Sequence, residues 1–303
     1  MRESISDYSE QHNFRLGLLY ALGGTALFAL KSIFIKLAYA QGVDTVTLLT
    51  LRMLVAAPFY LAVLVWLIYK TQVTSPSQQD LLAILVLGAL GYYVSSYFDM
   101  QGLNYISAQL ERLMLYSYPI MTALLGWLLF HEAITRRLSL ALVLTYSGVL
   151  LLYTYEANLG GKNISLGVLL VTLSALMFAV YLVYSKRVLN RVGSLLFTSL
   201  AMLSATVCVL IHFALTHPLS ALWVNSTAWF YAGLLGVFST VLPSFMLTEA
   251  LARIGAARTS MMGTTGPMIT ILLAVVLLGE PFGWAHLAGM LLVLMGVSML
   301  SKR

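Results

Sequence analysis

Residues 119–132 read PIMTALLGWLLFHE, and residues 267–280 read PMITILLAVVLLGE, 148 positions later. Both segments open on a proline, end on a glutamate and are apolar in between. With the same offset and no gaps, residues 88–152 align with residues 236–300. The similarity continues upstream with small slips, so the chain is two copies of one unit. If each copy crosses a membrane an odd number of times, the copies are inverted, and inverted repeats are typical of transporters.

The composition predicts a membrane protein. Hydrophobic residues make up 60% of the 303 residues and charged residues 9%, with a mean hydropathy of +0.90, far from the balance of soluble domains. The net charge of +6 therefore reflects basic residues between apolar spans rather than nucleic-acid binding. The single cysteine, Cys208, allows no intramolecular disulfide and is expected to be a small buried hydrophobe. Residues 1–14 contain three acids, which predicts a short cytoplasmic tail rather than a cleaved signal peptide.

Ten apolar runs are long enough to cross the hydrocarbon core, which takes roughly 20 residues. They are 15–38, 45–69, 79–102, 106–130, 138–154, 164–187, 194–214, 227–251, 255–279 and 283–301. The sequence therefore predicts an all-α membrane protein with ten transmembrane helices, arranged as two inverted five-helix repeats over 15–154 and 164–301. The segments on the N-terminal side hold 11 Lys and Arg residues and those on the other side hold 1, which predicts that both termini are cytoplasmic.

Helix-breaking residues recur at matching positions of the two copies. Pro119 and Pro267 lie inside the fourth and ninth spans, where proline removes a backbone hydrogen bond and predicts a kink. A second pair of candidate weak points lies on the third and eighth spans: Gly88 with Gly91, and Gly236 with Pro243. Paired irregularities in two halves point to a transport site, although a static kink for packing is the alternative.

The order of these features resembles the drug/metabolite transporter superfamily, in its ten-helix EamA-like branch. The two Pro-to-Glu segments carry the resemblance with a few further residues: Arg52 in TLRML, Ala108 in YISAQ, Ala256 in RIGAA, and the pairs Gly148-Val149 and Gly296-Val297. It covers nearly all of residues 15–301. The resemblance implies two inverted five-helix bundles around a central cavity and alternating access. It does not choose among amino acids, other metabolites, drugs and sugars as substrates, so the substrate has to be argued from the site.

Ionisable side chains inside spans are costly and usually face the protein interior or a wet cavity. The first copy holds six of them towards the predicted outer side: Lys31, Lys36, Arg52, Asp99, Glu111 and Arg112. Their matched positions in the second copy are uncharged except that of Lys36, which lies closer to the outer surface and can reach the interface. Two interpretations stay open. In one, four of them pair as an outer gate: Arg52, Asp99, Glu111 and Arg112. In the other, the excess positive charge attracts an anionic or zwitterionic substrate, and Lys31, the deepest, is the best candidate to bind it.

Aromatic and hydroxyl side chains on the same spans predict an apolar wall with a few polar groups, which suits a small amphipathic ligand. The candidate substrate-binding residues are Phe28, Lys31, Tyr92, Ser95, Tyr116, Phe178, Tyr181, Thr240 and Ser244. Aromatic residues are also common in packed cores and at membrane interfaces, and hydroxyls also bond the backbone of their own helix.

We expect a secondary active or facilitative transporter in a bacterial inner membrane that works as a monomer. It would export small amphipathic metabolites, amino acid-like or organic anions, by alternating access. A multidrug or cationic-compound exporter is the alternative, and a receptor-like or structural membrane protein is less favoured. The five histidines have no metal-ligand spacing and no phosphate-binding loop occurs. The sequence thus predicts a small-molecule substrate and lipid contacts, but no enzyme, catalytic residue, metal, cofactor or nucleic-acid partner. It leaves proton coupling, exchange and uniport open.

Overall fold

The computed structural model describes residues 2–70, 76–131, 135–159, 163–263 and 265–301, and these residues form helices without a β-strand. The α-helices are α1 Arg2–Ala29, α2 Lys31–Tyr39, α3 Thr45–Tyr69, α4 Gln78–Gly88, α5 Ser95–Gly102, α6 Ala108–Leu115, α7 Tyr118–Phe130, α8 Arg136–Asn158, α9 Ile164–Val192, α10 Ser194–Thr216, α11 Ser226–Gly236, α12 Leu242–Gly263, α13 Thr265–Leu278 and α14 Trp284–Ser301. Two π-helices, π1 Ala89–Val94 and π2 Val237–Val241, and the 3₁₀-helix Leu219–Leu222 lie between them. Glu132, which ends the first Pro-to-Glu segment, lies outside the described residues.

Seven helical segments of the described chain are long and apolar enough to cross a membrane. They are Phe14–Tyr39, Thr45–Tyr69, Gln78–Gly102, Arg136–Asn158, Ile164–Ser185, Ser194–Thr216 and Ser226–Leu247, and the shorter apolar helices Thr265–Leu278 and Trp284–Met299 follow. The predicted span 106–130 is divided, because a turn at Tyr116 and Ser117 separates α6 from α7. The predicted tail is also helical, since α1 begins at Arg2 and continues into the first span.

Short polar side chains begin many of the helices. The Asp44 carboxylate accepts hydrogen bonds from the backbone N–H groups of Val46 and Thr47 at 2.9 and 3.1 Å, and so caps α3. Four further helices have such an N-cap: α4 with Ser77, α6 with Ser107, α8 with Thr135 and α11 with Asn225. Asp, Asn, Ser and Thr suit this place because their oxygens satisfy N–H groups that have no partner within the helix.

The two π-helices lie at matching positions, because π1 overlaps π2 at the offset of 148. Both occur at the weak points that the glycine and proline pattern predicts. In the eighth span Pro243 is the second residue after the π-helix and removes one backbone donor. In the third span Gly88 and Gly91 bring the backbone against neighbouring helices, since a Cβ atom at either glycine would overlap Ala201 or Tyr181. The sequence pattern therefore located both irregularities, although not their π-helical form.

Glycines of the first and sixth spans make equivalent contacts. A Cβ atom at Gly17 on α1 would overlap Cγ2 of Ile254 on α12. The matching glycine, Gly167 on α9, would place a Cβ atom 2.7 Å from Cγ2 of Ile106. Ile106 and Ile254 are themselves 148 positions apart. The matched sequence positions therefore occupy equivalent places in the packing.

The fifth and last spans contact each other in the same reciprocal manner. A Cβ atom at Gly148 on α8 would lie 2.6 Å from the carbonyl oxygen of Gly289, and one at Gly296 on α14 would lie 2.8 Å from that of Ala141. The two contacts are equivalent, because each residue of α8 in one contact is 148 positions before the residue of α14 in the other. Because the earlier residue of α8 meets the later residue of α14, the two helices run antiparallel. The absence of side chains at these glycines lets the backbones approach closely, as in other helix pairs of membrane proteins.

The largest hydrophobic cluster lies where α2, α3, α5, α10 and α11 meet, and includes the fully buried Leu48, Leu51 and Met53. The outward faces of the same helices are also apolar. Large side chains such as Leu61 and Ile68 of α3 are more than half exposed, at 52% and 60%. Apolar residues in the core and on the outer surface of the same helix are expected where lipid rather than water surrounds the protein.

Candidate functional site

Five of the six ionisable residues that the sequence places inside spans of the first copy are buried, and Lys36 is partly exposed. The exposed fractions are 5% for Lys31, 4% for Arg52, 1% for Asp99, 0% for Glu111 and 3% for Arg112. They lie on α2, α3, α5 and α6. The expectation that these side chains face the protein interior is therefore met, while their partners differ from the predicted ones.

Lys31 is the first residue of α2 and follows the interruption of the first span at Leu30. Two hydroxyls from the second half hold carbonyl groups just before this interruption: Ser239 donates to Leu27 at 3.1 Å and Thr270 to Ala29 at 2.9 Å. The Lys31 Nζ atom lies 2.5 Å from Oδ2 of Asp99. The cation that the sequence favoured for an anionic substrate is therefore occupied by a carboxylate of the protein.

Arg52 binds across the two halves of the chain. Its Nε atom donates to the Thr240 hydroxyl at 2.8 Å, and Thr240 in turn donates to the carbonyl of Leu235, five residues earlier, at 2.9 Å. The π-helix thus positions this hydroxyl for the guanidinium group. Ser244, one turn later, bonds the hydroxyl of Tyr60 at 2.9 Å. Among the described residues no carboxylate lies within 4.0 Å of Arg52. The predicted ion pair between Arg52 and an acid is therefore not formed.

Glu111 and Arg112 are neighbours on α6 with different surroundings. Glu111 accepts a hydrogen bond from the Ser32 hydroxyl at 2.6 Å. Arg112 places its guanidinium carbon 5.0 Å from the centre of the Phe28 ring. Its Nε atom is buried without a hydrogen-bond partner, and no carboxylate of the described residues lies within 4.0 Å. The predicted ion pair of Arg112 is therefore also not formed.

A row of aromatic rings joins the two halves beside these charges. Tyr118 and Phe178 meet edge to face with 5.3 Å between ring centres, and Phe178 stacks on Tyr181 at 5.6 Å. Tyr181 bonds the hydroxyl of Tyr92 at 3.0 Å, while Tyr116 lies at the other end, 6.4 Å from Tyr118. The row brings together residues that the sequence predicts at the site with Tyr118, which it did not single out.

The remaining predicted residues lie close to helix interruptions or helix crossings. Ser95, the first residue of α5, donates to the carbonyl of Ser174 on α9 at 3.1 Å. Pro119 is the second residue of α7, directly after the turn that ends α6. Pro267 lies in α13. Pro119 therefore lies at the beginning of a helix rather than in its middle as the sequence had predicted, and the missing N–H group costs least there.

Two glutamates that were not predicted at the site hold the beginning of α6. Glu280, in the segment after α13, accepts from the backbone N–H groups of Ala108 and Gln109 at 2.8 and 3.3 Å. Glu156 on α8 accepts from the hydroxyl and the backbone N–H of Ser107. A pocket of about 210 Å³ opens beside them. The sequence could have indicated Glu280, because a glutamate ends both Pro-to-Glu segments. It could not have indicated the partner of Glu280, because that contact joins helices far apart in the chain.

The sequence and the fold both have known counterparts. Residues 15–154 and 165–302 each match the model of the EamA-like transporter family. The uncharacterized transporter YcbK of Bacillus subtilis is 28% identical over 286 residues, which cover 90% of this chain and 88% of that protein. The uncharacterized transporter sll1319 of Synechocystis is 24% identical over a region that covers 94% of this chain and 93% of that protein. A crystal structure with 17% identity superimposes with a TM-score of 0.66, covering 94% of this chain and 96% of its own, which shows a shared fold.

Proposed function

We propose that this chain, which belongs to the EamA-like transporter family, is a secondary active or facilitative exporter of small amphipathic metabolites. The family and the relatives make it an integral membrane protein and a transporter. The proposal adds an amino acid-like or organic-anion substrate, alternating access, a bacterial inner membrane and a monomer as the working unit.

The proposed architecture is ten spanning helices in two inverted five-helix repeats, 15–154 and 164–301, with both termini cytoplasmic. The reciprocal glycine contacts of α8 and α14 support it. A two-fold axis that exchanges two antiparallel helices lies across them, and hence in the plane of the membrane. In this arrangement α6 and α7 together form the fourth span, and the bias of Lys and Arg between the loops sets the orientation.

The observation that carries the proposal is the position of the buried polar groups between the two halves. Arg52 bonds Thr240 of the other half, and Tyr92 bonds Tyr181 of the other half. Ionisable and polar groups are costly inside a membrane and mark substrate pathways. A site at the interface of two repeats changes shape when one repeat rocks against the other. The matched π-helices and the segments around Pro119 and Pro267 are the proposed points of bending.

Counterflow in proteoliposomes tests the proposal. Liposomes loaded with unlabelled compound and given a labelled trace of the same compound accumulate label if the protein exchanges it, without any imposed gradient. The panel contains amino acids, organic anions and cationic dyes, with protein-free liposomes as the blank. Accumulation of an amino acid or an organic anion supports the proposal, whereas accumulation of cationic dyes alone supports the multidrug alternative. No accumulation of any compound contradicts the transporter mechanism.

A pair of tyrosines on α9 gives a matched control. Tyr181 is 5% exposed and lies in the aromatic row, whereas Tyr184 is 47% exposed on the outer surface. We expect Tyr181→Ala to lower counterflow by about tenfold, since it removes aromatic contacts that each contribute about 0.5–1.5 kcal/mol. Tyr184→Ala is expected to leave counterflow close to that of the unchanged protein. Equal rates in the two variants would contradict a site between the halves.

A further inference from the structure

We propose that Arg112, rather than Lys31, binds the substrate, and that it binds a single carboxylate group on a molecule with an apolar body. This inference rests on the proposed transport function and names the substrate class of the same site. It goes beyond the sequence, which placed Arg112 in a gate of ion pairs.

Arg112 is the cation of the site with unused hydrogen-bonding capacity. The Lys31 ammonium is occupied by Asp99, and Nε of Arg52 by the Thr240 hydroxyl. Nε of Arg112 has no partner and is buried, in a side chain that is 3% exposed. A buried donor without a partner destabilises the protein, and a charged donor does so more strongly. A ligand that accepts from this group recovers that free energy on binding.

A glycine, rather than a larger residue, lies beside the Nε–Nη2 edge of Arg112. A Cβ atom at Gly266 would lie 3.5 Å from Nη2 and 4.0 Å from Nε, in van der Waals contact with this edge. This edge presents two parallel N–H donors, which match the two oxygens of a carboxylate. The Phe28 ring lies against the guanidinium plane at 5.0 Å and holds its orientation.

The charges of the site favour one negative charge on the ligand. Among the buried ionisable residues that the sequence predicts at the site, the cations are Lys31, Arg52 and Arg112 and the acids are Asp99 and Glu111. With formal charges the set carries one net positive charge, which a monocarboxylate neutralises. A dianion such as phosphate would leave an excess negative charge in a membrane interior, where uncompensated charge is costly. A cation would add to the existing positive charge.

The rest of the ligand is expected to be apolar and preferably flat. Phe28 covers the guanidinium, and Tyr116 lies one helical turn after Arg112 at the end of the aromatic row. Tyr118 and Phe178 continue the row towards the other half. Aromatic walls with one placed ionic group suit an aryl or alkyl monocarboxylate.

The test uses compounds of the same shape and different charge. Purified protein in detergent is heated with phenylacetate, phenylacetamide or phenethylammonium, and in parallel with octanoate or octanamide, and its melting temperature is followed. A ligand that binds the folded protein raises the melting temperature with concentration. We expect both carboxylates to bind at least about tenfold more tightly than their amides, the range for a hydrogen-bonded charge, and the ammonium compound not to bind.

Three variants assign this preference to Arg112. Arg112→Gln is expected to abolish the preference for carboxylate over amide, and Arg112→Lys to restore part of it, because lysine keeps the charge without the planar pair of donors. Gly266→Ala fills the space beside Nε and Nη2, and is expected to weaken carboxylate binding with no change of charge. Gly233→Ala is the matched glycine control, since nothing lies within 4 Å of a Cβ atom there. Arg52→Gln removes the other buried guanidinium charge and is expected to lower the preference less than Arg112→Gln does.

The outcomes separate this inference from the proposed function. Equal binding of carboxylates and amides by the unchanged protein, or no binding of either carboxylate, overturns the inference without requiring any variant to fold. A preference that survives in Arg112→Gln but disappears in Arg52→Gln overturns it as well. If counterflow succeeds with neutral or cationic compounds, transport stands and the carboxylate site falls. If counterflow fails for all compounds while carboxylates still bind at Arg112, the site stands and the transport mechanism falls.

Discussion

Tyr92 and Thr240 occupy the same place in the two halves, since each is the fourth residue of its π-helix. Both hydroxyls reach a partner across the interface, but the partners differ in kind. Tyr92 bonds the neutral hydroxyl of Tyr181 at 3.0 Å, whereas Thr240 accepts from the charged Arg52 at 2.8 Å. The comparison shows that both repeats have a π-helix at the same position, with a hydroxyl-bearing residue at its fourth place. The side chains around it decide whether that place joins aromatic rings or supports a buried cation.

Removal of the two hydroxyls measures this difference directly. Thr240→Val leaves the buried Nε of Arg52 without an acceptor, and we expect it to lower the free energy of unfolding by about 3 kcal/mol. Tyr92→Phe leaves one neutral hydroxyl unpaired and is expected to cost about 1 kcal/mol. Denaturant titration of the purified protein, with the helix content followed by circular dichroism, gives both values. Equal losses would mean that the charge of Arg52 is compensated in another way.

The glycines that precede the π-helices offer a second comparison. A Cβ atom at Gly88 would overlap the backbone of Ala201, whereas one at the matching Gly236 would meet the side chain of Val55 at 2.8 Å. Backbone yields less than a side chain, so we expect Gly88→Ala to lower the free energy of unfolding by about 2 kcal/mol and Gly236→Ala by about 1 kcal/mol. Gly233→Ala, in open surroundings, is expected to be neutral or slightly stabilising. A larger loss at Gly236 than at Gly88 would show that α3 is the more rigidly held neighbour.

The beginnings of α3 and α10 give the smallest expected effect. Asp44 caps α3, whereas the corresponding residue before α10 is Gly193, which has no side chain to do so. We expect Asp44→Ala to lower the free energy of unfolding by about 1 kcal/mol and Asp44→Gly by a few tenths of that. A loss of equal size from both substitutions would indicate that the carboxylate contributes through its contact with His217, 3.2 Å away, rather than through the cap.

The same cap predicts a dependence on pH. Burial by itself raises the pKa of Asp44, but hydrogen bonds from Thr47 and Val46 and the neighbouring His217 outweigh it, so the pKa lies below its ordinary value. The contribution of the carboxylate is therefore fully present above the pKa of the unfolded chain. It is lost as the pH falls through the lowered pKa of the folded protein. Asp44→Asn keeps a capping oxygen without the titrating group, so its stability should fall less over the same acidic range.

Much of the fold follows from the sequence because lipid imposes simple rules. Apolar runs of sufficient length located the seven segments that are long enough to span a membrane. The paired glycines and proline located two weak points, although not their π-helical form. The division of the run 106–130 was less accessible. Its hydropathy is continuous, and the turn at Tyr116 and Ser117 depends on local hydrogen bonds, such as that from the Ser117 hydroxyl to the Met114 carbonyl at 2.6 Å.

The site was predicted as a set of residues rather than as a set of pairs. The cost of charge in lipid was sufficient to place Lys31, Asp99 and Arg112 in the interior. Which cation meets which acid depends on the rotation and height of each helix relative to the next, differences of a few ångströms that no spacing along the chain encodes. The carboxylate of Asp99, which the sequence paired with an arginine, therefore binds Lys31 instead. The Nε atom of Arg112 has no hydrogen-bond partner.

The contact of Glu280 with the beginning of α6 has an evolutionary consequence. Its partners are the backbone N–H groups of residues 108 and 109, and a backbone donor is present whatever the side chain, unless proline replaces it. Substitutions at these two positions therefore leave the contact in place, and its strength varies with one acidic residue. A change at this one acidic position would thus alter how firmly α6, the helix that carries Arg112, is held, without any change in α6 itself.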